Sequence, residues 1–224
     1  MTLLVWLWNK KGWVLKMQLR ERAKLLNSQA DRYMQDLDQA AQFLAARGIN
    51  RQAAVIARLG VVTAQNAASE HEQQVGRLVI PYCVRAGVSQ LRFRTLDGSE
   101  PKYLGLPGVQ PALFQTEALS APGETIVITE GELDALVLYR LCGVPAVGVP
   151  GAQAFKKHWW RLFRDFQNVV VMTDGDAAGR ELAVRLASSI RDARVITLPD
   201  GMDVNDFYMA HGPDALREKV NGSE

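Results

Sequence analysis

Four short runs rich in β-branched residues, "TIVIT", "PAVGVP", "NVVVMT" and "ARVITL", recur through residues 121–224, separated by stretches of helical character. Those stretches are "ELDALVLYRLCG", "AQAFKKHWWRLFRDF" and "AAGRELAVRLASSIRD", and "VNDFYMAHG" closes the series as a helix. Strands alternating with helices are joined by right-handed crossovers, which makes the sheet mainly parallel and covers it on both faces. In such α/β sheets reactive groups collect at the carboxyl ends of the strands. Acids stand at those ends here: Glu130 after the first run, Asp174 and Asp176 after the third, and Asp200, Asp203 and Asp206 after the fourth.

If these strands are neighbours, three loops deliver carboxylates to one edge. Two ionised carboxylates about 4 Å apart repel by roughly 4 kcal/mol at an effective dielectric near 20. A cluster of them stays charged only beside a cation. The chain has two cysteines, Cys83 and Cys142, and three scattered histidines, too few and too dispersed for a zinc site. Oxygen-only ligands point to Mg²⁺ or Mn²⁺, with phosphate and water completing the shell. Two of the acids also have structural readings: Asp176 as the N-cap of the helix beginning near Ala177, and Asp134 as a first-turn acid favoured by the helix N-terminus.

Residues 1–120 are different in kind. They hold 15 Lys+Arg against 9 Asp+Glu, whereas residues 121–224 hold 11 against 15. Helical spacing of Leu37, Ala40, Ala41 and Leu44 runs toward a stop at Gly48, and "NRQAAVIARLG" reads as a second short helix. "VTAQNAASEHEQQ" reads as a loop, and "GRLVIPYCV" with "SQLRFRTL" as a hairpin. In the second strand Arg92 and Arg94 share one face and Phe93 takes the other, because strand side chains alternate. That places two guanidinium groups on what reads as an exposed sheet surface. Lys102 beside Tyr103 offers a phosphate partner next to a stacking ring, or else an ordinary loop lysine and a half-buried tyrosine. The apolar stretch "MTLLVWLW" is far short of the roughly 20 residues that span a bilayer, and no small-residue cleavage site follows it. The expected location is the cytoplasm.

"TEGELDALVL" together with "TDGDAAGRELA" resembles the Toprim fold, which sets a glutamate after one strand and an Asp-x-Asp pair after a later one. Toprim modules serve primases, topoisomerases, small nucleases and recombination mediators. "AAQFLAARGINRQAAVIARLGVV", "GRLVIPY", "LRFRTLDG" and "PKYLGLPG" are similar, in order and spacing, to the basic subdomain that precedes Toprim in the DnaG-type primase catalytic core. "LPDGMDVNDF" is similar to its third acidic motif, and the resemblance runs from about Asp36 to Glu218.

The resemblance implies a division into an N-terminal extension at 1–35, a basic α+β subdomain at 36–120 and a Toprim domain at 121–224. It implies Glu130 as general base or ligand, Asp174, Asp176 and Asp203 as metal-binding acids, and Asp134 in support of the first motif. Asn205 stands where aspartate is frequent and would serve a second metal ion, so two or more Mg²⁺ or Mn²⁺ ions and no zinc are expected. Arg77, Arg94, Lys102 and Tyr103 match positions that hold nucleotide or template, and Arg92 extends that basic surface. The implied activity is RNA primer synthesis from ribonucleoside triphosphates on single-stranded DNA. A replicative helicase or a separate zinc-binding, template-recognising protein is the implied partner, since neither module is part of this stretch. Toprim nuclease activity and a non-catalytic single-strand-binding role in replication or recombination are the competing readings.

Overall fold

A computed structural model describes residues 3–121 and 123–222, with side chains described from residue 19 onward except at 122, 152 and 178. The chain begins with the long helix α1 (Leu3–Met34), whose "WLWNKKGWVLK" stretch has side chains outside the described set. After a break at residues 35–36 the chain winds through a 3-10 turn at Leu37–Ala40 into α2 (Ala41–Ala45). Leu37, Ala40 and Leu44 point inward as their spacing predicts, while Ala41 is exposed. Asn50 caps α3 (Arg51–Ile56) by accepting the amide of Ala53 at 2.8 Å. Part of the expected loop over "VTAQNAASEHEQQ" is instead a 3-10 turn, Ser69–Gln74, which buries His71 against Tyr33.

An antiparallel sheet follows in the order β1 (Gly60–Val61), β2 (Arg77–Val84), β3 (Gly87–Thr95), β4 (Tyr103–Gly105). The β2–β3 hairpin pairs Leu78 with Arg94, Val79 with Phe93 and Ile80 with Arg92. Val79, Leu91 and Phe93 face α1, where they pack on Leu26, Ala30 and Tyr33. Leu78, Ile80 and Tyr82 face the opposite way, into the cluster that reaches the second half. Arg92 and Arg94 share that second face, so the predicted open basic surface is instead an inner face turned toward residues 121–224. The reason is the apolar register of β2: its partners Leu78 and Ile80 are fully buried, and the arginines opposite them are drawn into the junction.

The second sheet is wholly parallel, in the order β6 (Ala146–Gly148), β5 (Thr125–Thr129), β7 (Asn168–Thr173), β8 (Arg194–Thr197). Ile126, Ile128, Val169 and Val171 pack on one face against Leu182 and Leu186 of α5 (Ala177–Ser189). Val127, Val170 and Met172 pack on the other against α4 (Glu132–Leu136), its π-helical continuation Val137–Leu141, and α6 (Val204–Asn221). Residues on both sides of position 120 share this one core: Leu78 and Ile80 sit in the same cluster as Val127, Leu133 and Val170. The closing helix is longer than its first motif suggests, bending at Gly212 and resuming at Pro213.

One expected element is different. "AQAFKKHWWRLFRDF" forms two 3-10 turns, Ala152–Ala154 and Lys157–Leu162, with Phe155 and Lys156 extended between them. Phe155, Trp159 and Phe163 all anchor in the cluster beneath β5 and β7. An α-helix would set Lys157 and Arg161 one turn apart as like charges, and the three buried aromatic side chains decide the path instead. Among the described residues no helix is long and apolar enough to cross a membrane.

Candidate metal and nucleotide site

Glu130 is the first residue past β5 and Asp174 the first past β7, and these two strands are hydrogen-bonded neighbours with Thr129 opposite Met172. The loop after β8 joins them. Leu198 N donates to Thr173 O at 3.1 Å and Gly175 N to Met202 O at 3.0 Å, which knits "TDGD" to "LPDGMD". A side chain at Gly175 would strike the carbonyl of Pro199, and one at Gly179 the carbonyl of Asp174, so the glycines of "DGDAAG" answer to close backbone approach. Asp176 caps α5, its Oδ1 accepting Gly179 N at 2.7 Å. Asp203 caps α6 in a reciprocal capping box: its Oδ1 accepts Asp206 N at 2.8 Å while Asp206 Oδ2 accepts Asp203 N at 3.4 Å. Asp200 is exposed, 3.8 Å from Arg180.

The electrostatics are those of crowded acids. Burial, then the charges of Glu130, Asp203 and Asp176, push the Asp174 carboxyl up to about 7, with Lys102 acting against the shift. Burial followed by Asp176 raises Glu130, again opposed by Lys102. Asp134, buried, is raised well above the carboxylate range by burial first and then by Asp203 and Asp174. Asn205 Nδ2 donates to Asp134 Oδ1 at 2.7 Å. Among the described residues, three buried oxygens on these elements have no partner: Glu130 Oε2, Thr173 Oγ1 and Asn205 Oδ1.

Orphaned oxygens beside acids that resist ionisation fit a hard cation. Among the described residues no three His, Cys, Asp or Glu side chains form a ready cage, so the acids converge to electrostatic range without closing to coordination range.

The basic residues fall into two groups. Lys102 is exposed and close enough to Asp174 and Glu130 to influence both. Arg94 Nη1 donates to Tyr103 Oη at 2.6 Å, and with Arg47, Phe43 and Lys102 it lines a cavity of ≈360 Å³. Arg77 is farther along the sheet edge, where its Nη1 donates to Pro101 O at 2.9 Å. Arg92 is turned inward onto Glu132, and its guanidinium lies 4.4 Å from the centre of the Tyr103 ring, with that of Arg94 at 5.2 Å. Tyr103 is thereby already stacked, and burial raises its hydroxyl pKa.

Two residues here escape a reading of the sequence. Arg47, 3.8 Å over the Phe43 ring, looks like a helix-end cation favoured by the dipole. Glu132 looks like a first-turn acid. The signal for Glu132 is indirect: every residue of α4 is buried, and a buried carboxylate demands a partner.

Residues 127–208 match the family described as Toprim-like. The Gene 57 protein of Mycobacterium phage D29 is 43% identical over 150 residues, covering 65% of this chain and 98% of that protein. The DNA primase of Pseudomonas putida is 30% identical over 143 residues, 57% of this chain and 22% of the primase, so the matched part is about a fifth of that protein. Among solved structures, a DnaG primase catalytic domain bound to ssDNA superposes with a TM-score of 0.73 at 22% identity, over 93% of this chain and 82% of that one. With the parallel sheet, the antiparallel sheet before it and the sequence likeness all agreeing, the chain belongs to the family of DnaG-type primase catalytic cores, Toprim-domain proteins.

Proposed function

We propose that this chain joins ribonucleoside triphosphates into short RNA primers on a single-stranded DNA template, as a metal-dependent nucleotidyltransferase. One observation supports this most: Lys102, immediately before β4 of the antiparallel sheet, lies close enough to Asp174 and Glu130 to oppose the rise in both their pKa values. Acids suited to a cation and cations suited to phosphate therefore face one another within a single chain. In this reading residues 36–120 hold nucleotide and template, and 121–224 hold metal. The solved relative bound to ssDNA agrees with such a template.

Asp174, Asp176 and Asp203 would hold Mg²⁺ or Mn²⁺, with Asn205 beside Asp134 toward a second ion. An ion held there would supply charge neutralisation at the transferred phosphate. Glu130 Oε2, buried and unpartnered, is suited to accept the proton of the attacking 3′-hydroxyl. Asp134 shapes the site by holding Asn205. Lys102, Arg94 and Arg47 around their cavity hold the triphosphate, and Arg77 with Arg94 lies toward the template. Asp176 and Asp203 each give one oxygen to a helix N-terminus and keep the other for the ion. Template start choice and strand opening would come from a zinc-binding protein and a helicase acting with this chain in the bacterial cytoplasm.

The test is primer synthesis from labelled ribonucleotides on single-stranded DNA with Mg²⁺ or Mn²⁺, using Asp174→Ala as the blank. Template-dependent oligoribonucleotides absent from the blank are expected, with template affinity of the variant within about threefold of wild type. A folded protein that cleaves labelled DNA and makes no primer would sink the proposal in favour of a Toprim nuclease.

A further inference from the structure

Glu132 is the first residue of α4 and only 1% exposed, a position where an ionised carboxylate is costly unless paired. The side chains that pair with it come from the other half of the chain. Tyr82 Oη on β2 donates to Glu132 Oε1 at 2.7 Å, and Arg92 Nη1 on β3 donates to the same oxygen in an ion pair. The connection continues through Arg92 onto the Tyr103 ring and from the Tyr103 hydroxyl to Arg94. Glu132 follows Glu130 by two residues, and Tyr103 follows Lys102 by one. A continuous polar chain thus ties the loop carrying the proposed base to the strand edge carrying the proposed phosphate cations.

Two simpler accounts of Arg92 fit less well. As a template contact it would offer its charge to a phosphate, but its side chain is 19% exposed and already neutralised by Glu132. As a stabilising device it would be a poor choice, since apolar residues of similar volume serve a buried junction at least as well as an ion pair.

We propose that the Glu132–Arg92 pair, braced by Tyr82, is a positioning device that sets Glu130 against Lys102 and Arg94, and that Arg92 takes no part in neutralising the template. The kinetic part rests on the primase reading above, and the template part does not.

The test uses the full chain, with thermal unfolding checked for each variant. In the first arm, single-stranded DNA affinity is followed as salt is raised for wild type, Arg92→Met and Arg94→Met. Arg92→Met is expected to keep the wild-type slope of log K against log salt, while Arg94→Met flattens it by about one. A slope flattened by about one in Arg92→Met would overturn the assignment. In the second arm, Glu132→Gln and the apolar double variant Glu132→Met with Arg92→Met are assayed for primer synthesis. Misplacement of the loop by a fraction of an ångström predicts a fall in kcat of about 10- to 100-fold at near-normal KM for nucleotide, even where the double variant is as stable as wild type. A stable double variant with wild-type kcat would show that the pair only fills buried space, overturning the proposal. Absence of synthesis by wild type, alongside an unchanged Arg92→Met slope, would remove the primase reading and leave Arg92 assigned away from the template.

Discussion

Asp174 carries the opposition between stability and chemistry most sharply. Its carboxyl ionises at 3.8 in the unfolded chain and at about 7 in the metal-free fold, so between those values the folded state holds the extra proton. Stability then declines as pH rises through that window, and the full cost is present above it. Asp174→Asn should therefore stabilise the metal-free protein at pH 8 by about 1–2 kcal/mol, a figure reduced for the solvent contact this group retains. The same variant should change little at pH 4, and primer synthesis should fall by about 10³-fold or more. Thermal midpoints with chelator at the two pH values check the first part, and the labelled-ribonucleotide assay the second. His71 acts in the opposite sense. Burial lowers its pKa below 6.5, so its contribution is whole above 6.5 and lost as the unfolded chain takes up a proton below it. Midpoints measured from pH 7.5 to 5.5 should drop, and His71→Gln should flatten that drop. Acids at strand ends were visible in the sequence because position relative to an apolar run is a local property. Arg47, the pairing of Glu132 and the inward turn of Arg92 were not, because each depends on which face of one half meets the other.

At the helix starts, structural duty can be tested apart from the proposed chemical duty. Asp203 and Asp206 cap α6 reciprocally, so alanine at either should cost about 1 kcal/mol of stability. Only Asp203 borders the acids around Asp174, and only Asp203→Ala should also abolish synthesis. Urea midpoints and primer yields from the two variants, side by side, check this. All four strands of the parallel sheet were legible because they are short, β-branched and bounded by turn residues. The segment 152–166 reads as a helix because its aromatic spacing fits an α-helix, whereas its path is set by the packing of Phe155, Trp159 and Phe163 into a core that is absent from the local sequence.

Across the molecule, the charge difference between residues 1–120 and 121–224 does not mark a division of folding; under the proposed function it would mark a division of labour. Leu78 and Ile80 from one part pack with Val127, Leu133 and Val170 from the other. Leu78→Ala should therefore cost about 2–5 kcal/mol and lower stability everywhere at once. Tryptophan fluorescence of a variant with Trp6, Trp8 and Trp13 replaced by phenylalanine, which leaves Trp159 and Trp160 as reporters of the second part, and helix circular dichroism, weighted toward α1, should still give coincident urea transitions; separated midpoints would contradict a shared core. The two capping acids have a consequence for reading descendants of this chain. Were the reaction abandoned, Asp176 and Asp203 would remain useful to their helices, and Asn, Ser or Thr would replace them without harm. Glu130 and Asp174 have no such second employment: each is a burden to the metal-free fold, and drift would erase them early. Among related sequences, if the proposed function holds, it is these two positions whose persistence would separate a working enzyme from a preserved shape.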